Sequence, residues 1–204
     1  LNSQIEQQDL ATWKSYLRWH AIHANATSLS SAVVNENFNF FGKTLQGKEQ
    51  LPPRWKRCTN DVDDDLGEAL GQVYVEKYFS PAAKQQVLEI VQGIQKAMDA
   101  DIHSLPWMSE ETKRRALEKL QSMANKIGYP DKWRDYRQLE IKRGDHMGNS
   151  LRARRFEFDR DLAKIGKPVD RQEWQMTPPT VNAYYDPQKN DINFPAGILQ
   201  PPLF

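Results

Sequence analysis

Val181-Asn-Ala-Tyr-Tyr-Asp-Pro-Gln-Lys-Asn-Asp-Ile-Asn-Phe-Pro-Ala-Gly-Ile-Leu-Gln-Pro-Pro-Leu-Phe204 is the stretch on which the reading of this chain turns. Val181 to Tyr185 is rich in β-branched and aromatic residues, Asp186 to Asn190 is turn-forming, and Ile192 to Phe194 returns to apolar alternation. That order predicts a β-hairpin, with Pro195 stopping its second strand. At the head of the first strand, the Asn182 carboxamide both donates and accepts, as gripping another chain's backbone requires, and Ala183 is small enough to let that chain approach. On these residues alone two readings stand. An edge strand so equipped takes a peptide as an extra strand through main-chain hydrogen bonds. Alternatively, Asn182 caps a turn, in keeping with the depletion of Asn from strands and its enrichment in turns.

Upstream of the hairpin, Trp174 to Pro179 reads as an extended linker. Before it, Asp145 to Ile165 has the spacing of a helix, with Met147, Leu151, Ala153, Phe156 and Leu162 as its apolar positions and Gly166 and Pro168 ending it. Arg152, Arg154, Arg155 and Arg160 invite a carboxylate ligand, but Glu157, Asp159 and Asp161 are interleaved with them, which favours structural ion pairs. Lys132 to Arg143 is charged, and Leu139 and Ile141 suggest a short strand. The first 128 residues read as five or six helices. Asp9 caps a helix carrying Leu10, Trp13, Leu17, Ala21 and Ala24 on one face. A second runs from about Ser30 to Leu45. Leu66, Leu70, Val73, Tyr74 and Tyr78 continue helical spacing to Phe79, and Ser80-Pro81 opens a long helix through Val87, Leu88, Val91, Ile94 and Met98. A further helix starts near Ser109, with Glu110 and Glu111 complementing its dipole, and carries Leu117, Leu120, Met123 and Ala124 as far as Gly128. The expected fold is mainly α with a small β part: residues 1–128 form a helical lobe, and residues 129–204 a linker helix and a β-hairpin.

Composition excludes several functions. A net charge of +1, from 28 basic and 27 acidic residues, gives no electrostatic case for nucleic acid or an anionic membrane. The longest apolar runs fall far short of the roughly 20 residues a membrane span needs. The sequence opens at Leu1 with neither a signal-peptide pattern nor an initiator Met, which reads as a mature, cleaved or truncated start. The lone Cys58 is either a buried free thiol or one half of a bridge to sequence not present. His20 and His23 have no acidic or Cys partner at ligand spacing, so helix packing or solvent contact is favoured over metal binding. Asp61 to Asp65 lacks the central Gly and terminal Glu of a calcium loop and reads as capping or solvated. The basic run Arg54 to Arg57 is neutralised by those aspartates. Asn25-Ala26-Thr27 is a formal glycosylation sequon too short to carry weight.

Asn182-Ala183-Tyr184-Tyr185 followed by Phe194-Pro-Ala-Gly-Ile-Leu-Gln-Pro-Pro202 resembles the segment just ahead of the zinc site in neprilysin-like metallopeptidases, which include endothelin-converting enzymes and bacterial oligopeptidases. Pro53-Arg54-Trp55-Lys56-Arg57-Cys58, Glu68-Ala69-Leu70-Gly71, Tyr74-Val75-Glu76-Lys77-Tyr78-Phe79 and Trp174-Gln175-Met176-Thr177-Pro178-Pro179 extend the resemblance over most of the chain. The resemblance implies a helical lobe facing a thermolysin-like catalytic subdomain across a chamber that limits substrate size. It implies hydrolysis of oligopeptides on the amino side of apolar residues and an extracytoplasmic location, periplasmic, secreted or at the cell surface. It assigns the Asn182 side chain and the Ala183 carbonyl to the substrate backbone, and Ile198 and Leu203 to the S1′ pocket, where many relatives carry an aromatic in place of Leu203. In animal relatives the residue matching Cys58 is disulfide-bonded to an upstream residue.

The family's chemistry needs a His-Glu-x-x-His helix and a later Glu to hold Zn2+ and activate water. No such motif occurs in these 204 residues. The expectation is therefore a middle piece of a longer zinc endopeptidase, inactive by itself, with no catalytic or metal-binding residue of its own. Its partners are then the C-terminal catalytic portion of the same protein and oligopeptide substrates. A non-catalytic helical peptide-binding or scaffold module is the alternative.

Overall fold

In the computed structural model, which describes residues 2–204, the chain forms two compact units. One takes the residues up to Cys58 together with Leu139–Phe158; the other takes Thr59–Gln138 and Asp159–Phe204. The fold is mainly α with one three-stranded sheet.

The first unit begins with α1 (Asn2–Gln7) and α2 (Leu10–Ala24). Asp9 caps α2 as expected, its Oδ1 accepting from the Thr12 N–H at 2.7 Å. The rings of α2 form a chain of contacts: Trp13 meets Tyr16, Tyr16 and Trp19 both meet His20, and Trp19 stacks on His23, which leans on Phe41. His23 Nδ1 lies 3.2 Å from Asn37 Oδ1, so His23 serves packing, while His20 is exposed beside the rings of its own helix. After a single 3₁₀ turn at Ala26–Ser28, α3 (Ser31–Asn37) widens into a π-helical stretch at Phe38–Thr44, where the Phe38 ring covers Gly42. The strand expected at Leu139 and Ile141 does not form. The Asn149 carboxamide takes both backbone groups of Lys142, at 2.8 Å each, and so occupies the positions a ladder partner would use. Arg152 bonds Asp145 at 3.0 Å and the Glu140 carbonyl at 2.9 Å, and Arg154 bonds Asn25 at 2.9 Å, so these arginines have structural partners. Cys58 is exposed, which removes the buried-thiol reading: its place on α4 (Arg54–Tyr78) turns it outward.

The second unit holds α4 (Arg54–Tyr78) from Thr59 onward, bent at Leu66 (φ −139°, ψ 33°), then α5 (Pro81–Ser104) and α6 (Glu110–Gln121). The Ser80 hydroxyl accepts from the Ala83 N–H at 3.1 Å, with Pro81 in the first turn, as the sequence predicts. The helix α7 (His146–Leu162) ends in this unit. Its sheet is ordered β1 (Ala124–Gly128), β3 (Asp191–Pro195), β2 (Tyr184–Asp186). β1 runs parallel to β3 with Ile127 opposite Phe194, and β2 is antiparallel to it with Tyr184 opposite Asn193.

β1 corrects the sequence reading, which carried helix through Met123 and Ala124. Asn190, in the hairpin turn at φ 52°, donates from Nδ2 to the Lys119 carbonyl at 2.9 Å and to Ser122 Oγ at 3.0 Å, and its own carbonyl accepts from the Ala124 N–H at 3.0 Å. A residue some seventy positions away thus ends α6 and starts a strand, a tertiary effect that overrides local propensity. The core of this unit is Val75, Phe79, Val87, Val91, Ile127, Ala196 and Leu199, with Ile192, Phe194 and Ile198 packed against it.

Candidate peptide-binding edge

Alternation along β3 sends Ile192 and Phe194 to the apolar core, while Asp191, Asn193 and Pro195 are fully buried on the opposite face. There, Lys126 Nζ donates to Asp191 Oδ2 at 2.6 Å and to the Glu173 carbonyl at 2.9 Å, and Asn193 Nδ2 donates to Asp191 Oδ1 at 2.6 Å. Charged groups this deep persist only when paired and hydrogen-bonded. Asn193 Oδ1 is buried with no hydrogen-bond partner among the described residues.

The Glu173 carbonyl ties this network to the segment that leads toward the hairpin. The Glu173 carboxylate meets Arg160 Nη1 at 2.5 Å and Lys164 Nζ at 2.6 Å. Partial burial alone would raise its pKa, but the hydrogen bonds from Lys164 and Arg160 prevail and bring it down to about 2. A depressed carboxylate stabilises the fold above its unfolded pKa and loses that contribution as pH falls through the folded value. Glu173→Gln should therefore cost about 1 kcal/mol at pH 7 once solvent screening at the half-exposed Lys164 is allowed for. Urea titrations should show the gap between variant and wild type closing as pH falls from about 4.5 toward 2. A gap independent of pH would refute the ionic account.

Beyond Glu173 the segment is held at each step. Trp174 is buried, the Gln175 N–H donates to Tyr184 Oη at 3.0 Å, and Gln175 Nε2 donates to Asp186 Oδ2 at 3.1 Å. Burial raises the Tyr184 pKa, against the bond from the Gln175 N–H. Thr177 Oγ1 donates to Asp63 Oδ2 and lies against Thr180 Oγ1, both at 2.9 Å, and the Pro178 carbonyl accepts from the Gly197 N–H at 2.8 Å. Burial also raises the Asp63 pKa, against the bond from Thr177.

The residues singled out from sequence fall as follows. The strand begins at Tyr184, so Asn182 and Ala183 lie just ahead of it rather than within it. Asn182 is exposed, and its Oδ1 accepts from the Ala183 N–H at 2.8 Å. That local bond draws the chain out of the ladder, which explains the late start of the strand. Because Tyr184 pairs with Asn193, the residues before Tyr184 and those after Pro195 leave the sheet at the same end. This brings Asn182, Ala183 and Ile198 to one end of the sheet. Ile198 is half-buried against the core, whereas Leu203 is 65% exposed. β2 is an edge strand. Among the described residues no group of three or more His, Cys, Asp or Glu side chains is arranged to hold a metal, so these residues do not fit a zinc ion. Nor is any helix among them long and apolar enough to cross a membrane.

Sequence reasoning missed Lys126, Asp191 and Asn193. Polar residues at alternate strand positions were visible in Asp191 and Asn193, but the partner on β1 is 65 positions away.

Comparison with known proteins accords with this geometry. Residues 1–130 match the sequence profile of Peptidase family M13. Mouse endothelin-converting enzyme 1 is 34% identical over 211 aligned residues, which take in 100% of this chain and 27% of that protein. Neprilysin-11 of Caenorhabditis elegans is also 34% identical, over 98% of this chain and 24% of its own length. Among solved structures, the Mycobacterium tuberculosis zinc metalloprotease ZMP1 in complex with an inhibitor superposes with a TM-score of 0.85 at 47% identity, covering 96% of this chain and 29% of the other. PepO from Lactobacillus rhamnosis gives 0.76 at 31% identity, covering 93% and 31%. With a profile match over more than half its length and these identities, the chain belongs to peptidase family M13. It spans 24–31% of the length of these relatives.

Proposed function

We propose that this chain is the substrate-positioning part of a zinc endopeptidase that cleaves oligopeptides on the amino side of apolar residues, acting outside the cytoplasm. In this reading residues 1–128 belong to the helical lobe and residues 129–204 open the catalytic subdomain. Asn182 and the Ala183 carbonyl hold the substrate backbone in extended form beside β2, and Ile198 and Leu203 contribute to the wall that receives the residue after the cut. Zinc, held by residues of the intact enzyme other than these, would polarise the scissile carbonyl and supply an activated water. This chain's own contribution is orientation, which lowers the barrier by holding the reacting bond in line.

The observation that carries the proposal is the exposed Asn182 with the half-buried Ala183 at the head of an edge strand, in a chain whose relatives are peptidases. The local bond from the Ala183 N–H to Asn182 Oδ1 favours a second reading, in which the segment merely closes its own hairpin. Asn182→Ala in the full-length enzyme separates them. The substrate reading expects transition-state binding to weaken by about 1–3 kcal/mol, read as kcat/KM on a quenched peptide, because a substrate amide loses its partner. Unchanged kcat/KM would leave the scaffold reading.

A further inference from the structure

The segment just upstream of Asn182 is packed more closely than its loop character requires. On α4, a Cβ at Gly67 would fall 2.1 Å from Thr177 Cγ2, and one at Gly71 would fall 2.7 Å from Pro178 Cδ and Cγ. From another side, a Cβ at Gly197 would fall 2.3 Å from the Pro179 carbonyl oxygen. Both flanks therefore accept only glycine with the segment where it is. The polar groups agree: Asp63 Oδ2 accepts from Thr177 Oγ1 at 2.9 Å, the Thr180 N–H closes back on the Thr177 carbonyl at 3.0 Å, and the Gly197 N–H holds the Pro178 carbonyl at 2.8 Å. Pro178 and Pro179 have fixed φ, so a displacement imposed at Thr177 is not absorbed within the pair but is passed toward Asn182.

We infer that Asp63, Gly67 and Gly71 of α4, with Gly197 beyond β3, form a slot that seats Thr177–Thr180 and thereby sets the position of Asn182 and Ala183 against a peptide substrate. These are positioning residues: none need touch the peptide. The inference rests on the proposed role of Asn182 and Ala183 and deepens it by naming what holds them. It also explains why small residues recur on α4 at the points where Thr177 and Pro178 arrive, although alanine is intrinsically the better helix former.

The test is a compensating pair in the full-length, zinc-loaded enzyme. Gly67→Ala places a methyl where Thr177 Cγ2 lies, and Thr177→Ser removes that same carbon while keeping the hydroxyl that reaches Asp63. Gly67→Ala is expected to lower kcat/KM for a quenched peptide about tenfold in protein that is folded to the wild-type extent, a misplacement effect on the bound peptide. Adding Thr177→Ser should return kcat/KM to within about threefold of wild type, whereas adding Thr177→Val, which keeps the methyl and the branching but replaces the hydroxyl with a second methyl, should not. Amide hydrogen exchange over residues 178–186, measured on the same samples, should rise in Gly67→Ala and fall back in the Ser-containing pair. An unchanged kcat/KM in Gly67→Ala, a loss of activity matching lost folded protein, or failure of Thr177→Ser to rescue would each overturn the slot. A slot that passes the exchange test while Asn182→Ala leaves kcat/KM unchanged would instead overturn the substrate role, and with it the substrate half of this inference.

Discussion

Lys126→Ala is expected to destabilise the chain by about 3–5 kcal/mol, the usual cost of leaving one member of a buried ion pair without its partner. The size follows from the geometry. Lys126 and Asp191 are almost wholly buried, their charged atoms are 2.6 Å apart, and the same ammonium satisfies the Glu173 carbonyl. Removing it strands a carboxylate and a carbonyl together, beside an Asn193 oxygen that already has no hydrogen-bond partner among the described residues. The measurement is a urea titration followed by tryptophan fluorescence, to which the buried Trp174 next to Glu173 contributes. A second variant tests the cause: Lys126→Met combined with Asp191→Asn removes both charges and should recover at least about 1.5 kcal/mol relative to Lys126→Met alone. A single variant costing less than about 1 kcal/mol would mean that water reaches the pair and screens it.

Gly128→Ala is the other change expected to be severe, at about 2–4 kcal/mol, because two penalties coincide. Gly128 ends β1 at φ 79°, a left-handed conformation that costs a residue with a side chain, and a Cβ there would fall 2.3 Å from Phe79 Cε1. Phe79 is itself a core residue in edge-to-face contact with Tyr129, so its ring has little freedom to retreat. The Gly128 carbonyl also accepts from the Ala196 N–H at 2.8 Å, so a rotated backbone would disturb the turn after β3. Phe79→Leu in the Gly128→Ala background should restore part of the loss if crowding is the larger penalty, and none of it if backbone strain is. A Gly128→Ala variant as stable as wild type would contradict both.

The helices were legible in sequence to the extent that their ends carry local signals. Asp9, Ser80 and Ser109 each cap through a hydrogen bond three residues on, an interaction wholly encoded nearby. The hairpin turn was legible for the same reason, through Asp186, whose Oδ1 accepts from the Gln188 N–H at 2.9 Å. β1 was not, because Ala-Asn-Lys-Ile-Gly has no strand pattern of its own and pairs only with residues that come much later. Leu139 and Ile141 erred in the other direction: two apolar residues at strand spacing gained no partner once Asn149 had occupied the backbone between them and α7. At the candidate site, Asn182 and Ala183 were found through resemblance to a family motif. The slot that seats the preceding residues was invisible, since a glycine's reason for being small lies in whatever arrives against it.

The parallel pairing of β1 with β3 also bears on how the polypeptide is made. Lys126 and Asp191 are 65 positions apart, so at translation speeds of about 5–20 residues per second β1 emerges from the ribosome several seconds before the strand that will cover it. During that interval the Ile127 segment has no strand to pair with, and a lysine beside it is the kind of charge that opposes pairing with another chain. The same ammonium that locks the finished sheet is thus placed to guard the unfinished one.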